Sequence, residues 1–217
     1  MEKHNILAHR GLWRKPSEKN SKLALFKALE NGFGIETDIR YDKDIGLVIS
    51  HDILKSCFNY LPFEELLIEY KKQKVNSKIA LNIKSNGLHE VLKEILENYR
   101  IDQYFIFDMS IPDLISGVKY DLNQYARYSN YEDPYPYSKF TNGVWIDRFN
   151  SKIPNISEII SLHKKWSSLV FVSPELHGRE HLNYWNFIKI FYKKTKKDIM
   201  ICTDFPSEAY EFFKIEK

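Results

Sequence analysis

Short apolar runs alternate with helical patterns along most of the chain. Runs of this length bounded by polar residues or glycine are typical of buried parallel strands. Between them, apolar residues recur at the three- and four-residue spacing of one helix face. Eight runs begin strand–helix units, at 5–9, 33–38, 78–84, 104–108, 124–128, 143–147, 168–173 and 198–203. Helices are predicted over 21–31, 63–72, 88–96, 112–116, 156–166, 181–194 and 207–213.

One further apolar run, 46–50, interrupts this series. It follows the polar stretch 41–46, which ends in a glycine, and this pattern predicts a β-hairpin rather than another strand–helix unit. Eight regular strand–helix units predict an α/β fold, a single (β/α)8 TIM barrel domain over 1–217 with a short β-hairpin insert after strand 2. The alternative is an open doubly wound sheet. No GxGxxG or Walker motif follows a strand, which disfavours that alternative.

Composition and charge restrict the class of protein. A hydrophobic content of 43% over 217 residues supplies a full core, and the formal net charge of +3 is too small and dispersed to favour a nucleic-acid partner. No stretch approaches the ~18 apolar residues of a membrane-spanning helix. The first residues lead directly into a strand without an apolar signal region, and Cys57 and Cys202 form no CxxC pair. We therefore expect a cytoplasmic protein with reduced thiols and a small-molecule substrate, and leave its oligomeric state open.

Polar and ionisable residues stand where the predicted strands end. In a barrel of this kind the carboxyl ends of the strands form the active site, so these side chains should converge. They are His9, Arg10, Glu36, Asp38, Asn82, Lys84, Asp108, Arg127, Ser129, Glu132, Asp147, Arg148, Glu175, His177, Thr203 and Asp204. Among them, Arg127, Glu175 and His177 are candidate substrate-binding residues. Four other histidines lie outside the strand ends and are expected at the surface or in packing: His4, His89, His163 and His181.

A pair of acids on the second strand indicates a cation. Glu36 and Asp38 are two residues apart on a strand and therefore share one face. Two carboxylates so placed repel each other unless a cation or a proton lies between them. Mg²⁺ and Ca²⁺ are the divalent ions that such oxygen ligands suit. The alternative interpretation is a salt bridge from the pair to Arg10 or Arg40.

Two histidines beside that acidic pair indicate acid–base catalysis. A single histidine at a strand end is more often structural, but His9 and His51 together are suited to act as general base and general acid near neutral pH. Arg10 and Lys84 could hold phosphate oxygens, the arginine in bidentate fashion. The set predicts metal-assisted chemistry on a phosphate ester.

The stretch AHRGLW…PSEKNS…ALFKALENGFGIETDIRYDKDIGLVISHD resembles the glycerophosphodiester phosphodiesterase family. The pattern of that family is HRG, then a Pro-Glu-Asn-Thr-like segment, then Glu-x-Asp, then His-Asp after a short hairpin. The match covers residues 5–52, with weaker similarity at LNIK (81–84) and CTDFP (202–206).

The resemblance implies a TIM-type barrel that uses a divalent metal. His9 and His51 would be the acid–base pair, and Arg10 would bind phosphate. Glu36 and Asp38 would be metal ligands.

Two features depart from the family pattern. Where the family has a third carboxylate in Glu-x-Lys, this chain has Asn82; its amide oxygen can still coordinate Mg²⁺ or Ca²⁺, and Glu175 could compensate for the missing charge. Only about 25 residues separate Asp52 from the next strand at Lys78, too few for the long insert common in the family. A tyrosine-rich loop, 125–137, either replaces that pocket wall or caps the barrel mouth by packing.

The sequence thus predicts a metal-dependent hydrolase that converts a glycerophosphodiester-like substrate to an alcohol and a phosphomonoester. Whether water or a hydroxyl of the substrate attacks, giving a cyclic phosphate in the second case, stays open. The alternative is a catalytically weak barrel that binds a phosphorylated sugar or lipid headgroup, favoured by Asn82. A third interpretation, a lyase acting at membranes, needs an exposed apolar loop, for which Trp13 and 135–137 are the candidates.

Overall fold

A computed structural model describes residues 1–56, 58–74, 76–195 and 199–214. The strands are β1 (Ile6–His9), β2 (Gly34–Asp42), β3 (Gly46–Ile49), β4 (Leu61–Pro62), β5 (Ile79–Ile83), β6 (Tyr104–Phe107), β7 (Tyr125–Tyr128), β8 (Gly143–Ile146), β9 (Ser168–Val172) and β10 (Ile199–Thr203). The helices are α1 (Lys22–Glu30), α2 (Phe63–Gln73), α3 (His89–Asn98), α4 (Ile111–Gly117), α5 (Ile156–Lys165), α6 (Leu182–Thr195) and α7 (Pro206–Phe213). Cys57 and Asp198, which the sequence interpretation included, lie outside the described residues.

Eight of the strands run parallel in the order expected for a (β/α)8 barrel. From β1 the pairing runs through β2 and β5 to β6 in one direction, and through β10, β9 and β8 to β7 in the other. Between β6 and β7 the contact is one isolated bridge, Ile106–Gln124, with the Ile106 amide donating to the carbonyl of Asn123 at 2.9 Å. We call this junction the seam. The predicted barrel is confirmed, with one weakly paired junction.

The expectation of eight regular strand–helix units is wrong for one unit. Between β7 and β8 the chain forms only a 3-10 turn at Tyr135–Tyr137 instead of an α-helix. Pro134 and Pro136 explain this, since proline lacks the amide hydrogen a helix needs and disfavours helical backbone at the residue before it. The barrel mouth therefore carries an irregular loop on this side.

The predicted hairpin is present and extends further than expected. β2 continues to Asp42 and pairs antiparallel with β3, with Ile39 opposite Ile49. β3 pairs in turn with the two-residue β4, an element that the sequence did not predict. The Ser50 amide donates to the carbonyl of Asp38 at 3.0 Å, which holds the chain at His51 beside the end of β2.

Alternation along the strands fills the barrel with apolar side chains and places polar ones above them. Successive strand residues point to opposite faces, so the residue two positions beyond an interior apolar side chain also faces the interior. The interior cluster consists of Leu7, Ala80, Phe105, Phe107, Tyr125, Trp145, Val170, Val172, Met200 and the free thiol Cys202. Two positions beyond Leu7, Ala80, Tyr125, Trp145 and Cys202 come His9, Asn82, Arg127, Asp147 and Asp204. This register delivers polar groups to the carboxyl end of the barrel.

The helices pack their apolar faces on the outside of the barrel. α1 is capped by Ser21, whose hydroxyl accepts a hydrogen bond from the Ala24 amide at 3.2 Å. His89 of α3 is buried, lies 3.8 Å from Asp113 of α4 and stacks on Tyr120, which confirms its predicted packing role. Within the described residues, no helix is long and apolar enough to cross a membrane.

Candidate active site

The two acids of β2 are buried at the barrel mouth. Glu36 is 1% exposed and Asp38 is 0% exposed, and Asp38 lies opposite Asn82 in the register of β2 and β5. Burial of a carboxylate needs compensating charge or hydrogen bonds. The two acids receive that compensation in different ways.

Asp38 is neutralised by two cations. Nε of Arg10 lies 2.8 Å from its Oδ2, and Nζ of Lys84 lies 3.3 Å from its Oδ1. Asn20 donates through Nδ2 to Oδ2 at 2.7 Å and accepts from the hydroxyl of Thr37 at 2.8 Å. The salt bridge to Arg10 that the sequence left as an alternative is therefore present for Asp38. Arg10 and Lys84, the predicted phosphate binders, meet at this acid.

The backbone turn after β1 sets the position of Arg10. Arg10 and Gly11 both have positive φ, 57° and 92°, a conformation that glycine adopts readily. A Cβ at Gly11 would lie 2.5 Å from the carbonyl carbon of Ala24, so the turn packs directly against the first residues of α1. The Arg10 amide donates to the carbonyl of Glu36 at 2.9 Å and carries the β1–β2 pairing one residue further.

Glu36 has no such cation partner among the residues that the structure describes. Its Oε1 accepts a hydrogen bond from Nδ2 of Asn82 at 3.4 Å, and its Oε2 lies 3.9 Å from Nε2 of His9. Burial and the nearby charge of Asp38 raise the pKa of Glu36 to about 8. At neutral pH this carboxyl therefore favours a proton or a bound cation.

His9 is held between the barrel interior and the end of β10. Its Nδ1 lies 2.6 Å from Oδ1 of Asp204, and the ring is almost fully buried. Burial lowers the pKa of His9, although the hydrogen bond and charge of Asp204 oppose that shift. The imidazole is thus held neutral with Nε2 facing Glu36.

His51 lies in an open cleft. Its side chain is 49% exposed, and its Nδ1 lies 2.8 Å from Asp52. Arg40 donates to the carbonyls of His51 and Lys84 at 2.9 and 3.0 Å, which ties the hairpin to the end of β5. The cleft has a volume of about 1120 Å³ and is lined by both Arg10 and His51. Its outer wall contains exposed apolar side chains of Ile45, Ile53 and Phe58.

Three buried oxygens at the mouth accept no hydrogen bond from the described residues: Oε2 of Glu36, Oδ1 of Asp38 and Oδ1 of Asn82. Carboxylate and amide oxygens are the ligands that Mg²⁺ and Ca²⁺ prefer, so this set of oxygens fits a hard divalent cation. In the described part of the chain, no group of three His, Cys, Asp or Glu side chains converges for a metal. The set that fits therefore consists of two acids and one amide.

The other three predicted substrate-binding residues are engaged within the protein. Arg127 forms an ion pair with Asp108 across the seam, and Asp108 lies 3.6 Å from Lys84. His177 lies 2.7 Å from Asp147 and contacts the ring of Phe149 edge-on.

Glu175 accepts three hydrogen bonds. Its donors are the hydroxyls of Ser173 and Thr203 and the Asp204 amide. Within the described part of the chain, Arg127 thus reaches the site through Asp108, and Glu175 reaches it through Asp204. The contacts of His177 there, with Asp147 and Phe149, include neither histidine of the predicted acid–base pair.

Sequence reasoning gave no role to Lys19 or Asn20. Both lie in the loop before α1, and each contacts an acid on a strand next to β1: Lys19 contacts Asp204 after β10, and Asn20 contacts Asp38 of β2. The polar segment 16–21 was visible as part of a motif. Its contacts depend on the turn at Gly11, which only the folded chain reveals.

No protein-family model and no curated protein matches the chain. Solved structures do. A glycerophosphodiester phosphodiesterase from Parabacteroides distasonis is 18% identical, with 96% of each chain covered and a TM-score of 0.66. A phosphodiesterase from Oleispira antarctica in complex with the product sn-glycerol-3-phosphate is 14% identical, with 96% of each chain covered and a TM-score of 0.70.

A third structure, a glycerophosphodiester phosphodiesterase from Agrobacterium tumefaciens, is 13% identical, covers 96% of this chain and 98% of its own, and has a TM-score of 0.66. At these identities the comparisons show the fold. This chain has the barrel fold of those enzymes over nearly its whole length.

Proposed function

We propose that this chain, which has the fold of the glycerophosphodiester phosphodiesterases, hydrolyses a glycerophosphodiester-like substrate to an alcohol and a phosphomonoester. One observation carries the proposal. The buried His9 and the exposed His51 lie at the same end of the barrel as two cations and two acids. His9 lies 3.9 Å from Glu36, and His51 lines the cleft that Arg10 also lines. Arg10 and Lys84 both contact Asp38.

His9 acts as the general base in this proposal. Because Nδ1 donates a hydrogen bond to Asp204, its hydrogen stays on Nδ1. Nε2 therefore carries the lone pair that accepts a proton. Burial lowers the pKa of His9, so the ring is neutral near pH 7 and ready to accept that proton from the attacking water or substrate hydroxyl.

His51 acts as the general acid. Its exposed ring lines the cleft, where the leaving alcohol has room to depart. Asp52 stays ionised beside it, since the hydrogen bond from His51 lowers the pKa of Asp52. His51, paired with Asp52, supplies a proton to the leaving oxygen.

Arg10 and Lys84 bind the phosphoryl oxygens. Arg10 contacts Asp38 through Nε, which leaves its two Nη groups as donors for a phosphate. Asp38 thereby orients both cations rather than neutralising the whole site. Positive groups so placed stabilise negative charge that develops on the phosphoryl oxygens.

A divalent cation is part of the proposal. Glu36, Asp38 and Asn82 would hold it through the three oxygens that accept no hydrogen bond from the described residues, and Lys84 would move away from Oδ1 of Asp38 to make room. When bound, a Mg²⁺ or Ca²⁺ ion would polarise a phosphoryl oxygen as a Lewis acid. We also propose a cytoplasmic location, which the free thiol of Cys202 supports.

Purified protein incubated with a panel of glycerophosphodiesters tests the proposal, with each product identified by mass spectrometry. We expect release of an alcohol and a phosphomonoester, abolished in His9→Ala and reduced by a chelator. A cyclic phosphate would identify the substrate hydroxyl as the nucleophile. No turnover of any diester by the wild-type protein, with or without divalent ions, would refute the proposal.

A second candidate function is binding of a phosphorylated headgroup without turnover. It is favoured by the ion pairs of Asp38 with Arg10 and Lys84, because an acid already paired to two cations is a weaker metal ligand. Saturable binding of sn-glycerol 3-phosphate by calorimetry, with no turnover at any metal concentration, would support this candidate.

A further inference from the structure

We infer that Asp204 and Lys19 are positioning residues that fix the tautomer and the orientation of His9, and that Trp13 holds Lys19 in place. This inference deepens the proposed function, because it concerns the histidine that we assign as the base. Four side chains from three parts of the chain form a closed circuit of contacts around that ring. We call it the His9 circuit: His9, Asp204, Lys19 and Trp13.

The first contact of the circuit is between two nearly buried side chains. Nδ1 of His9 lies 2.6 Å from Oδ1 of Asp204, and the two side chains are 11% and 10% exposed. An ionised carboxylate only accepts hydrogen bonds, so the hydrogen must lie on Nδ1 and the lone pair on Nε2. Burial tends to raise the pKa of Asp204, but the contacts with His9 and Lys19 outweigh it and lower that pKa, which keeps the carboxyl ionised.

The second contact fixes the other oxygen of the same carboxylate. Nζ of Lys19 lies 3.1 Å from Oδ2 of Asp204. With one oxygen on His9 and the other on Lys19, the carboxylate cannot rotate without losing one partner. The Asp204 backbone is also fixed, since its amide donates to Oε1 of Glu175 at 3.1 Å.

The third and fourth contacts connect Lys19 to Trp13 and Trp13 to the backbone of His9. Nζ of Lys19 lies 4.5 Å from the centroid of the Trp13 ring, a distance typical of a cation–π contact. Nε1 of Trp13 donates to the backbone carbonyl of His9 at 3.0 Å. The segment between Trp13 and Lys19 is held by Glu18, whose carboxylate accepts a hydrogen bond from the Arg14 amide at 2.8 Å. Trp13 therefore contacts both the backbone of His9 and the side chain of Lys19.

Nitrogen-15 spectroscopy of histidine-labelled protein at pH 8 tests the circuit without any substrate. We expect the wild-type His9 signals, assigned by their loss in His9→Gln, to show a protonated Nδ1 and an unprotonated Nε2. Asp204→Asn and Lys19→Met should increase the fraction with the hydrogen on Nε2. Lys3→Met is the matched control. Lys3 also stacks on aromatic rings, those of Phe33 and Tyr210, but it precedes the amino end of β1, whereas His9 is at the carboxyl end.

Steady-state kinetics then tests the consequence for turnover. We expect Asp204→Asn to lower kcat at least ~10²-fold, since a histidine in the wrong tautomer cannot accept the proton. Lys19→Met should lower kcat ~10-fold with KM changed less than ~2-fold, and Lys19→Arg should restore most of kcat, because arginine keeps the charge and the stacking on Trp13.

Two results would overturn the inference. One is a His9 tautomer that is the same in wild type, Asp204→Asn and Lys19→Met. The other is a Lys19→Met variant that raises KM with kcat unchanged, which would make Lys19 a substrate-binding residue instead. The spectra also separate this inference from the proposed function, since the expected tautomer change in a protein that cleaves no diester would refute the hydrolase and leave the circuit intact.

Discussion

Asp38 and Asn82 lie directly opposite each other in the register of β2 and β5, and each keeps a buried side-chain oxygen that accepts no hydrogen bond from the described residues. An acid facing an amide gives the mouth one negative charge fewer than an acid facing an acid. This pairing determines how the site should respond to divalent cations.

The substitution Asn82→Asp should tighten cation binding and weaken the cation-free protein. A third carboxylate beside Glu36 and Asp38 adds repulsion that only a cation relieves. We expect a lower unfolding temperature than wild type in chelator, and a larger rise on adding Ca²⁺ or Mg²⁺, with affinity increased ~10-fold. Ligand at ~100 times its Kd stabilises the folded state by about 2.7 kcal/mol.

Thermal unfolding with and without the ions measures this response, and Asn98→Asp on the exposed surface of α3 is the control. Equal cation responses in wild type and Asn82→Asp would contradict the assignment of Asn82 as a ligand.

Replacement of either histidine should abolish most turnover. His9→Gln and His51→Gln are expected to lower kcat/KM at least ~10²-fold, in the range usual for acid–base groups. His4→Gln, at an exposed position ahead of β1, should leave kcat/KM unchanged. Initial rates on the best substrate of the panel decide the matter, and full activity in either site variant removes that histidine from the mechanism.

Buried His89 should make stability depend on pH. Burial lowers the pKa of His89 below its ordinary value of 6.5, with the charge of Asp113 opposing. Well above pH 6.5 the ring is neutral in both states. As the pH falls below 6.5, the unfolded chain binds a proton that the folded chain does not, so the free energy of unfolding decreases.

Urea unfolding at a series of pH values measures this decrease. The free energy of unfolding of His89→Gln should fall less steeply with decreasing pH than that of wild type. The difference is expected between pH 6.5 and the pKa of His89 in the folded protein. His4→Gln should retain the wild-type slope. An unchanged slope in His89→Gln would show that His89 protonates equally in both states.

The ion pair across the seam should matter for stability more than an ordinary surface pair. Arg127 and Asp108 are about one fifth exposed and join β6 to β7 where the backbone supplies a single bridge. We expect Arg127→Met to lower the free energy of unfolding by ~1–3 kcal/mol, because it leaves a partly buried acid with one partner fewer.

Lys93→Met breaks the ion pair with Glu97 along α3. This control should lower the free energy of unfolding by less than ~0.5 kcal/mol. Amide hydrogen exchange locates the effect: the Ile106 amide should exchange faster in Arg127→Met. Equal unfolding free energies in the two variants would show that the pair does not support the seam.

Gly11→Ala and Gly46→Ala separate backbone strain from close packing. The two glycines have nearly equal φ, 92° and 93°, but a Cβ at Gly11 meets the backbone of Ala24 while a Cβ at Gly46 meets nothing within 4 Å. Gly46→Ala should cost about 1–2 kcal/mol from conformation alone. Gly11→Ala should cost clearly more and reduce activity, because the turn also positions Arg10. Chemical unfolding of both variants measures the difference, and equal losses would show that the packing of Ala24 yields easily.

The barrel could be predicted from the sequence because its strands are continuous apolar runs. The two-residue alternation then places side chains such as His9 and Asn82 above the interior without further information. These are local properties, and the structure confirms them. The missing helix after β7 was also encoded locally, in Pro134 and Pro136, but the count of regular units overlooked it.

The partners of the acids could not be predicted in the same way. The contact of Asp204 with Lys19 and that of Asp38 with Asn20 join positions 185 and 18 residues apart, through a loop whose course depends on the turn at Gly11. Spacing along the chain does not specify such contacts. The sequence showed which groups gather at the mouth, and the folded chain shows how they neutralise one another.

The position of the seam has a consequence for how this barrel could be remodelled. Glu36, Asp38, Asn82 and Lys84 are all on or directly after β2 and β5, which pair with each other, while the irregular loop 129–142 follows β7 on the other side of the weak junction. Loop grafts at 129–142 would therefore change what the mouth accepts without altering the pairing of β2 with β5 that fixes the acids. Grafts that keep Glu132, which lies 3.6 Å from Nε of Arg127, would also preserve the contacts that lead through Asp108 to Lys84.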